Sequence, residues 1–210
     1  MTWDYIISIL VISVVLSIAS YWLPLPYINS VEKRNLRSCH LETPQEYFKF
    51  TLPQIANKKK EWIHKIFRGE AEHERIFFTS TDYVIFPDKD WNDNSSQNLH
   101  LLAFFKSPRL RSIRDLTAGD IELLKMAYNR AITIIEQQYG VKESQIKAYF
   151  HYYPSTWQLH LHLVNVNKKS NSSIEHTHNF HYVIQNLELH SQYYQMVTLQ
   201  TKIYTSPTAI

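Results

Sequence analysis

The seven residues Trp157-Gln-Leu-His-Leu-His-Leu163 alternate strictly between apolar and polar side chains. Successive side chains of a strand point to opposite faces, so this period of two reads as a strand with one buried side. Leu159, Leu161 and Leu163 then face a core, while Gln158, His160 and His162 stand side by side on the other face. His151 lies on a preceding strand-like run, Ile146–Tyr153, and the intervening Pro154-Ser-Thr156 can turn the chain back and bring it alongside. Clustered imidazoles carry a solvation cost unless they bond each other, a ligand or a metal. A lone His-x-His is often just a solvated strand face. The leucine alternation and His151 together point past that reading.

Composition narrows the chemistry. The 210 residues carry a net charge of +3, which excludes a disordered acidic or basic tail and leaves only a local basic patch for nucleic acid. A single cysteine, Cys39, excludes an internal disulfide framework and a Cys-rich zinc site. It sits in a mixed stretch without a matching His/Asn pattern. Three glycines cannot build a GxGxxG or P-loop phosphate cradle, so phosphate chemistry would rest on side chains or helix ends.

Residues 5–28 contain no charged side chain and no histidine, and are long enough to cross a bilayer. Tyr21 and Trp22 suit a headgroup boundary. Lys33, Arg34 and Arg37 follow, whereas the short tail before the run carries Asp4 and no Lys or Arg, so an anchor here would leave the body in the cytoplasm. A buried element of the fold and a cleaved leader are the alternatives. Residues 29–57 read as a polar linker, and 58–210 as one domain. A short helix is expected over Lys58–Phe67, ending at Gly69. Strands are expected over Arg75–Phe78, Tyr83–Phe86 and His100–Phe105. The clearest helix runs from Ala118 to Tyr139. Its apolar stripe is Ile121, Leu124, Tyr128, Ala131 and Ile135, with Thr117 and Asp120 at its start and Gly140 at its end. Glu175–Leu189 reads as helix and Tyr194–Tyr204 as strand. Short strands in adjacent pairs around one long helix indicate an α+β fold with an antiparallel sheet.

Two chemistries fit a histidine-bearing strand. A neutral imidazole can attack phosphorus while neighbouring groups fix its tautomer and stabilise developing charge. Alternatively, His151, His160 and His162 could hold zinc with one open position. Spacing alone does not separate them.

The stretch His151-Tyr-Tyr-Pro-Ser-Thr-Trp-Gln-Leu-His-Leu-His-Leu163 resembles the histidine-triad (HIT) signature, and more closely that of the scavenger mRNA-decapping (DcpS) family, His-Tyr-x-Pro-Ser-x-x-His-x-His-x-His. Further similarities are collinear over about residues 40–200. Glu42-Thr43 through Thr51-Leu-Pro53 is similar to the segment before that family's catalytic domain. Trp62, Ala71-Glu72 and Arg75-Ile76 resemble its cap-binding stretch. Val84-Ile-Phe-Pro-Asp88 with Trp91 resembles its Pro-Asp-x-x-Trp turn, and Arg111-Ser-Ile-Arg-Asp-Leu-Thr117 its Arg-Ser-Leu-Arg-Asp-Leu-Thr.

The resemblance implies a HIT-like antiparallel sheet with flanking helices, behind the hydrophobic segment. It implies hydrolysis of m7GpppN remnants of mRNA decay to m7GMP, without metal or cofactor. On that reading His160 is the nucleophile and forms a nucleotidyl-histidine. His162, His151 and Gln158 support it. Trp62 stacks on the cationic methylguanine. Glu72 accepts hydrogen bonds from the guanine edge, and Pro87, Asp88, Lys89 and Ser155 complete the binding site. A homodimer is a further expected partner, and the hydrophobic run 5–28, read from its own composition, adds membrane association. Several positions depart from the family pattern. Gln158 replaces a triad histidine and cannot carry a proton. Asp90 stands where a phosphate-binding lysine is expected, Thr156 where Tyr is common, and His176 in place of an Arg. The hydrophobic run stands where the family's swapped N-terminal lid would be, which implies weaker cap binding and leaves dimerisation open. A catalytically weakened nucleotide-binding relative is therefore the competing expectation.

Overall fold

Alternation in two neighbouring strands determines where the core and the site lie. In the computed structural model the described residues are 37–56, 60–169 and 176–204. The strands are β1 (Arg37–Glu42), β2 (Phe78–Thr79), β3 (Tyr83–Pro87), β4 (His100–Phe105), β5 (Ile146–His151), β6 (His160–Asn165), β7 (Thr177–Asn179) and β8 (Leu199–Tyr204). The α-helices are α1 (Pro44–Glu46), α2 (Leu52–Ala56), α3 (Glu61–Phe67), α4 (Ile121–Tyr139), α5 (Phe180–Leu189) and α6 (Tyr193–Met196). Six strands form an antiparallel sheet in the order β2-β3-β4-β6-β5-β7, and β1 pairs with β8 in a separate antiparallel ribbon. The α+β expectation holds.

Leu101, Ala103 and Phe105 of β4 and Leu161 and Leu163 of β6 enter the larger core with the inner faces of α4 and α5. Leu102 and Phe104, the other parity of β4, join Val84 and Phe86 in a smaller core closed by Ile63 and Ile66 of α3. Ile63 is fully buried, and burying such a side chain contributes about 1.5–3 kcal/mol. α3 is thus docked on the face that carries His160 and His162. The long helix forms as its stripe predicts. Ile121, Leu124, Tyr128, Ala131 and Ile135 are all buried. Thr117 and Asp120 make a reciprocal capping box around a short 3₁₀ turn at Ala118–Asp120, and Gly140 takes the left-handed conformation (φ 64°) that ends the helix without a Cβ penalty.

Several expected boundaries move. The stretch read as a polar linker carries, from Arg37, strand β1 and a helical run through Ala56. Thr43 and Glu46 cap that run reciprocally (2.8 and 3.2 Å), with Pro44 at its first position. Residues Arg37–Tyr204 form one compact unit. His73–Arg75 is a 3₁₀ turn, and the strand expected over Arg75–Phe78 shrinks to β2. Residues 177–179, expected in a helix, form β7. The Asn179 carboxamide oxygen accepts from the N–H of His181 (2.9 Å) and Tyr182 (3.3 Å), so α5 starts only after it. The run expected as strand from Tyr194 begins as α6, where Arg114 donates to the Tyr194 carbonyl (2.9 Å) and the tyrosine side chain is buried. The hydrophobic run 5–28 and Glu175 lie outside the described residues. Among the described residues no helix is long and apolar enough to cross a membrane.

Candidate active site

β6 places its two histidines beside β4 by register. Leu102 faces His162 and Phe104 faces His160 across the ladder. The His160 ring lies flat on Phe104 (4.4 Å between centroids, 14°), and Phe104 in turn stacks on Phe86 (5.4 Å, 15°). The His160 Nδ1 lies 2.8 Å from the backbone oxygen of Gln158. A carbonyl only accepts, so Nδ1 carries the proton and Nε2 of the neutral ring keeps its lone pair. Burial holds this imidazole below its usual pKa, which favours that neutral form. His162 lies 4.9 Å from His160 by ring centroid, is 6% exposed, and has its pKa driven well down by burial and then by the neighbouring imidazoles.

Above these rings opens a cleft of about 420 Å³. Of the residues expected from sequence, Trp62, Glu72, Pro87, Asp88, Lys89, Ser155, His160 and His162 all line it. The Trp62 indole is 48% exposed and meets Phe104 edge-on (5.8 Å, 85°). Glu72 sits in a left-handed conformation (φ 59°), and its Oε2 accepts from Arg75 Nη1 (3.2 Å). Asp88 Oδ1 accepts the backbone N–H of Asp90 (2.9 Å), which forms the turn after β3.

Two expected site residues are placed otherwise. Gln158 is not among the cleft-lining side chains. It is 1% exposed, and its Nε2 donates to the carbonyls of Phe105 (2.6 Å) and Ser107 (2.9 Å). His151 also lies outside the cleft lining, its ring between His162 (4.4 Å) and His176 (4.6 Å). Asp90, which stands where a phosphate-binding lysine is expected, is exposed and does not line the cleft, whereas Lys89 does. Among the described residues no group of three or more His, Cys, Asp or Glu side chains is disposed to hold a metal ion.

His100 was missed as a site residue, whereas Arg75 belongs to the cap-binding resemblance and Thr156 to the departures from it. Arg75 and Thr156 line the cleft. His100 Nε2 lies 3.0 Å from His162 Nδ1. The signal for His100 was available. In the run His100-Leu-Leu-Ala-Phe-Phe105 it shares the parity of Phe104 and hence the face of the site.

Residues 61–178 match the family described as "Scavenger mRNA decapping enzyme C-term binding". The chain is 35% identical over 165 residues to the m7GpppX diphosphatase of Ascaris suum, covering 75% of this chain and 55% of that protein. It is 33% identical to the human m7GpppX diphosphatase over 165 residues, covering 75% and 49%. The chain thus spans about half the length of these curated relatives. Among solved structures it is similar to a histidine triad protein from Clostridium difficile, at 16% identity and a TM-score of 0.42, over 55% of this chain and 99% of that one. By sequence match across more than half its length, the chain belongs to the scavenger mRNA-decapping enzyme family and carries that family's C-terminal region.

Proposed function

We propose that this protein hydrolyses m7GpppN cap remnants, as the names of its relatives suggest, with His160 as nucleophile. The observation that carries the reading is the His160 tautomer, with Nδ1–H donated to the Gln158 carbonyl and Nε2 left bare on a ring that lines the cleft. The Nε2 lone pair attacks the phosphorus next to methylguanosine. An N–P bond forms, and the P–O bond to the departing nucleoside diphosphate breaks. Water then attacks the same phosphorus, the N–P bond breaks, and m7GMP leaves. One water is consumed, and His160 regains its lone pair. Lys89 and Arg75 are the cations lining the cleft, suited to the phosphate oxygens, and the exposed Trp62 face suits a cationic base.

The competing expectation of a weakened enzyme rests on Gln158, Asp90 and His176, of which Gln158 is the one inside the triad motif. Its contribution to His160 is a backbone carbonyl, which any residue supplies. The loss of an imidazole there is therefore compatible with turnover. A zinc reading gains no such support, because among the described residues His151, His160 and His162 do not form a group disposed to hold a metal ion.

The test is incubation of the full chain with m7GpppG in the presence of EDTA, with rapid-quench mass spectrometry for a methylguanylyl group on His160. Release of m7GMP and a transient adduct are expected. His160→Ala should abolish turnover while keeping affinity for m7GMP. Wild-type turnover by that variant would overturn the assignment, and activity lost with EDTA and restored by zinc would favour the metal reading.

A further inference from the structure

Lys168 lies two residues beyond Val166, in a turn built by Asn165. The Asn165 side chain donates to the Ser96 carbonyl (2.9 Å) and accepts from the Asn167 N–H (2.9 Å), and its carbonyl accepts from the Lys168 N–H (3.0 Å). This turn brings Lys168 Nζ to 3.3 Å from His100 Nδ1. The opposite edge of the same imidazole, Nε2, lies 3.0 Å from His162 Nδ1. Three side chains thus form a line that ends in the cleft.

Protons can be placed along that line. An ammonium group has donors and no acceptor, so the nitrogen facing Lys168 is bare. The proton of neutral His100 then sits on Nε2 and is donated to His162 Nδ1. His162 in turn carries its proton on Nε2, which is buried and has no hydrogen-bond partner among the described residues. His162 lines the cleft, so an unsatisfied donor there calls for an acceptor from outside the chain. Asp88 Oδ1 competes for His100 Nδ1 from 3.7 Å. Were it to win, the proton of His100 would move to Nδ1 and the whole line would reverse. His162 would then present a lone pair, which repels a phosphate oxygen. Lys168 is the closer group and biases the choice.

We infer that Lys168 and His100 are positioning residues that lock His162 as the Nε2–H tautomer, so that it donates to a phosphate oxygen of the bound dinucleotide. The role of that oxygen rests on the function proposed above, whereas the tautomer does not. A preset donor needs no reorganisation when charge develops, so the gain falls on the transition state.

The experiment reads the tautomer directly. Long-range ¹H–¹⁵N correlation spectra of the ¹⁵N-histidine-labelled full chain, without substrate, distinguish Nε2–H from Nδ1–H imidazoles. Wild-type His162 should be the Nε2–H form. Lys168→Met keeps the aliphatic stem and removes the donor, and should give a mixture of tautomers. Turnover of m7GpppG should then fall with the competent fraction, about tenfold in kcat if a tenth of the molecules keep it. Lys168→Arg, which restores a cationic donor, should recover both readouts. A wild-type His162 in the Nδ1–H form, or a Lys168→Met protein whose His162 stays wholly Nε2–H, would overturn the inference. If the wild-type chain does not cleave m7GpppG yet the tautomers behave as stated, the function fails and the relay stands.

Discussion

Replacing Gln158 by Met keeps length and volume but removes two donors from a fully enclosed position. The Gln158 amide donates to the Phe105 and Ser107 carbonyls at 2.6 and 2.9 Å. Each bond contributes about 0.5–1.5 kcal/mol net, and a buried carbonyl left unsatisfied costs about 1–3 kcal/mol. The substitution should therefore destabilise the protein by about 3 kcal/mol. For a chain of this size that lowers Tm by roughly 6–12 °C. Catalysis should respond differently, because the group that holds His160 Nδ1 is the backbone oxygen, which methionine also has. Thermal melts by circular dichroism, paired with m7GpppG kinetics well below the transition, separate the two effects. The expected result is a clear loss of Tm with kcat unchanged within about twofold. An unchanged Tm would refute the hydrogen-bond argument. A collapse of kcat in the folded variant would show that the side chain takes part in the chemistry.

Three further outcomes follow from the same geometry. Trp62→Ala should raise KM for m7GpppG by roughly tenfold or more with little change in kcat, since stacking a base on an aromatic ring contributes about 1–3 kcal/mol to binding; steady-state kinetics check this. Glu42→Gln should cost about 3–5 kcal/mol by denaturant titration, because it breaks a buried pair with Arg114 (3.4 Å) and places an NH₂ among hydroxyl donors from Thr51, Tyr152 and Tyr153. Burial lowers both His100 and His178 to about 4 from 6.5. The unfolded chain therefore binds protons that the folded chain refuses between those values. Stability should be level above pH 6.5 and fall as pH drops toward 4, by on the order of 3 kcal/mol per ring. Denaturation at pH 7 and pH 4.5 measures it, and equal stabilities would contradict the burial.

What was legible in sequence was local. The parity of Leu159, Leu161 and Leu163, the helix stripe from Ile121 and the caps at Thr117 and Gly140 are all short-range patterns, and the structure follows them. The family motifs placed Trp62, Glu72 and Asp88 around one cleft although they lie on different elements. The misses came from contacts between distant segments. β1 finds its partner in β8 more than 150 residues away, and no period within Arg37–Glu42 announces that. Arg114 reaches α6 from a distant segment, and the loss of helix at residues 177–179 depends on the Asn179 cap. Gln158 was read as a weakened catalytic group because its residue type differs from the family pattern. Its register places the carbonyl, rather than the side chain, against His160.

The buried Arg114 guanidinium gathers the Glu42 carbonyl from β1, the Tyr194 and Val197 carbonyls ahead of β8, and the Tyr152 hydroxyl just before the Ser155–Thr156 rim of the cleft. Mechanically it is a knot tying the leading edge of the domain to its trailing edge. Tension applied to the polypeptide ahead of β1 would reach Arg114 through Glu42, and from there the rim that meets the substrate.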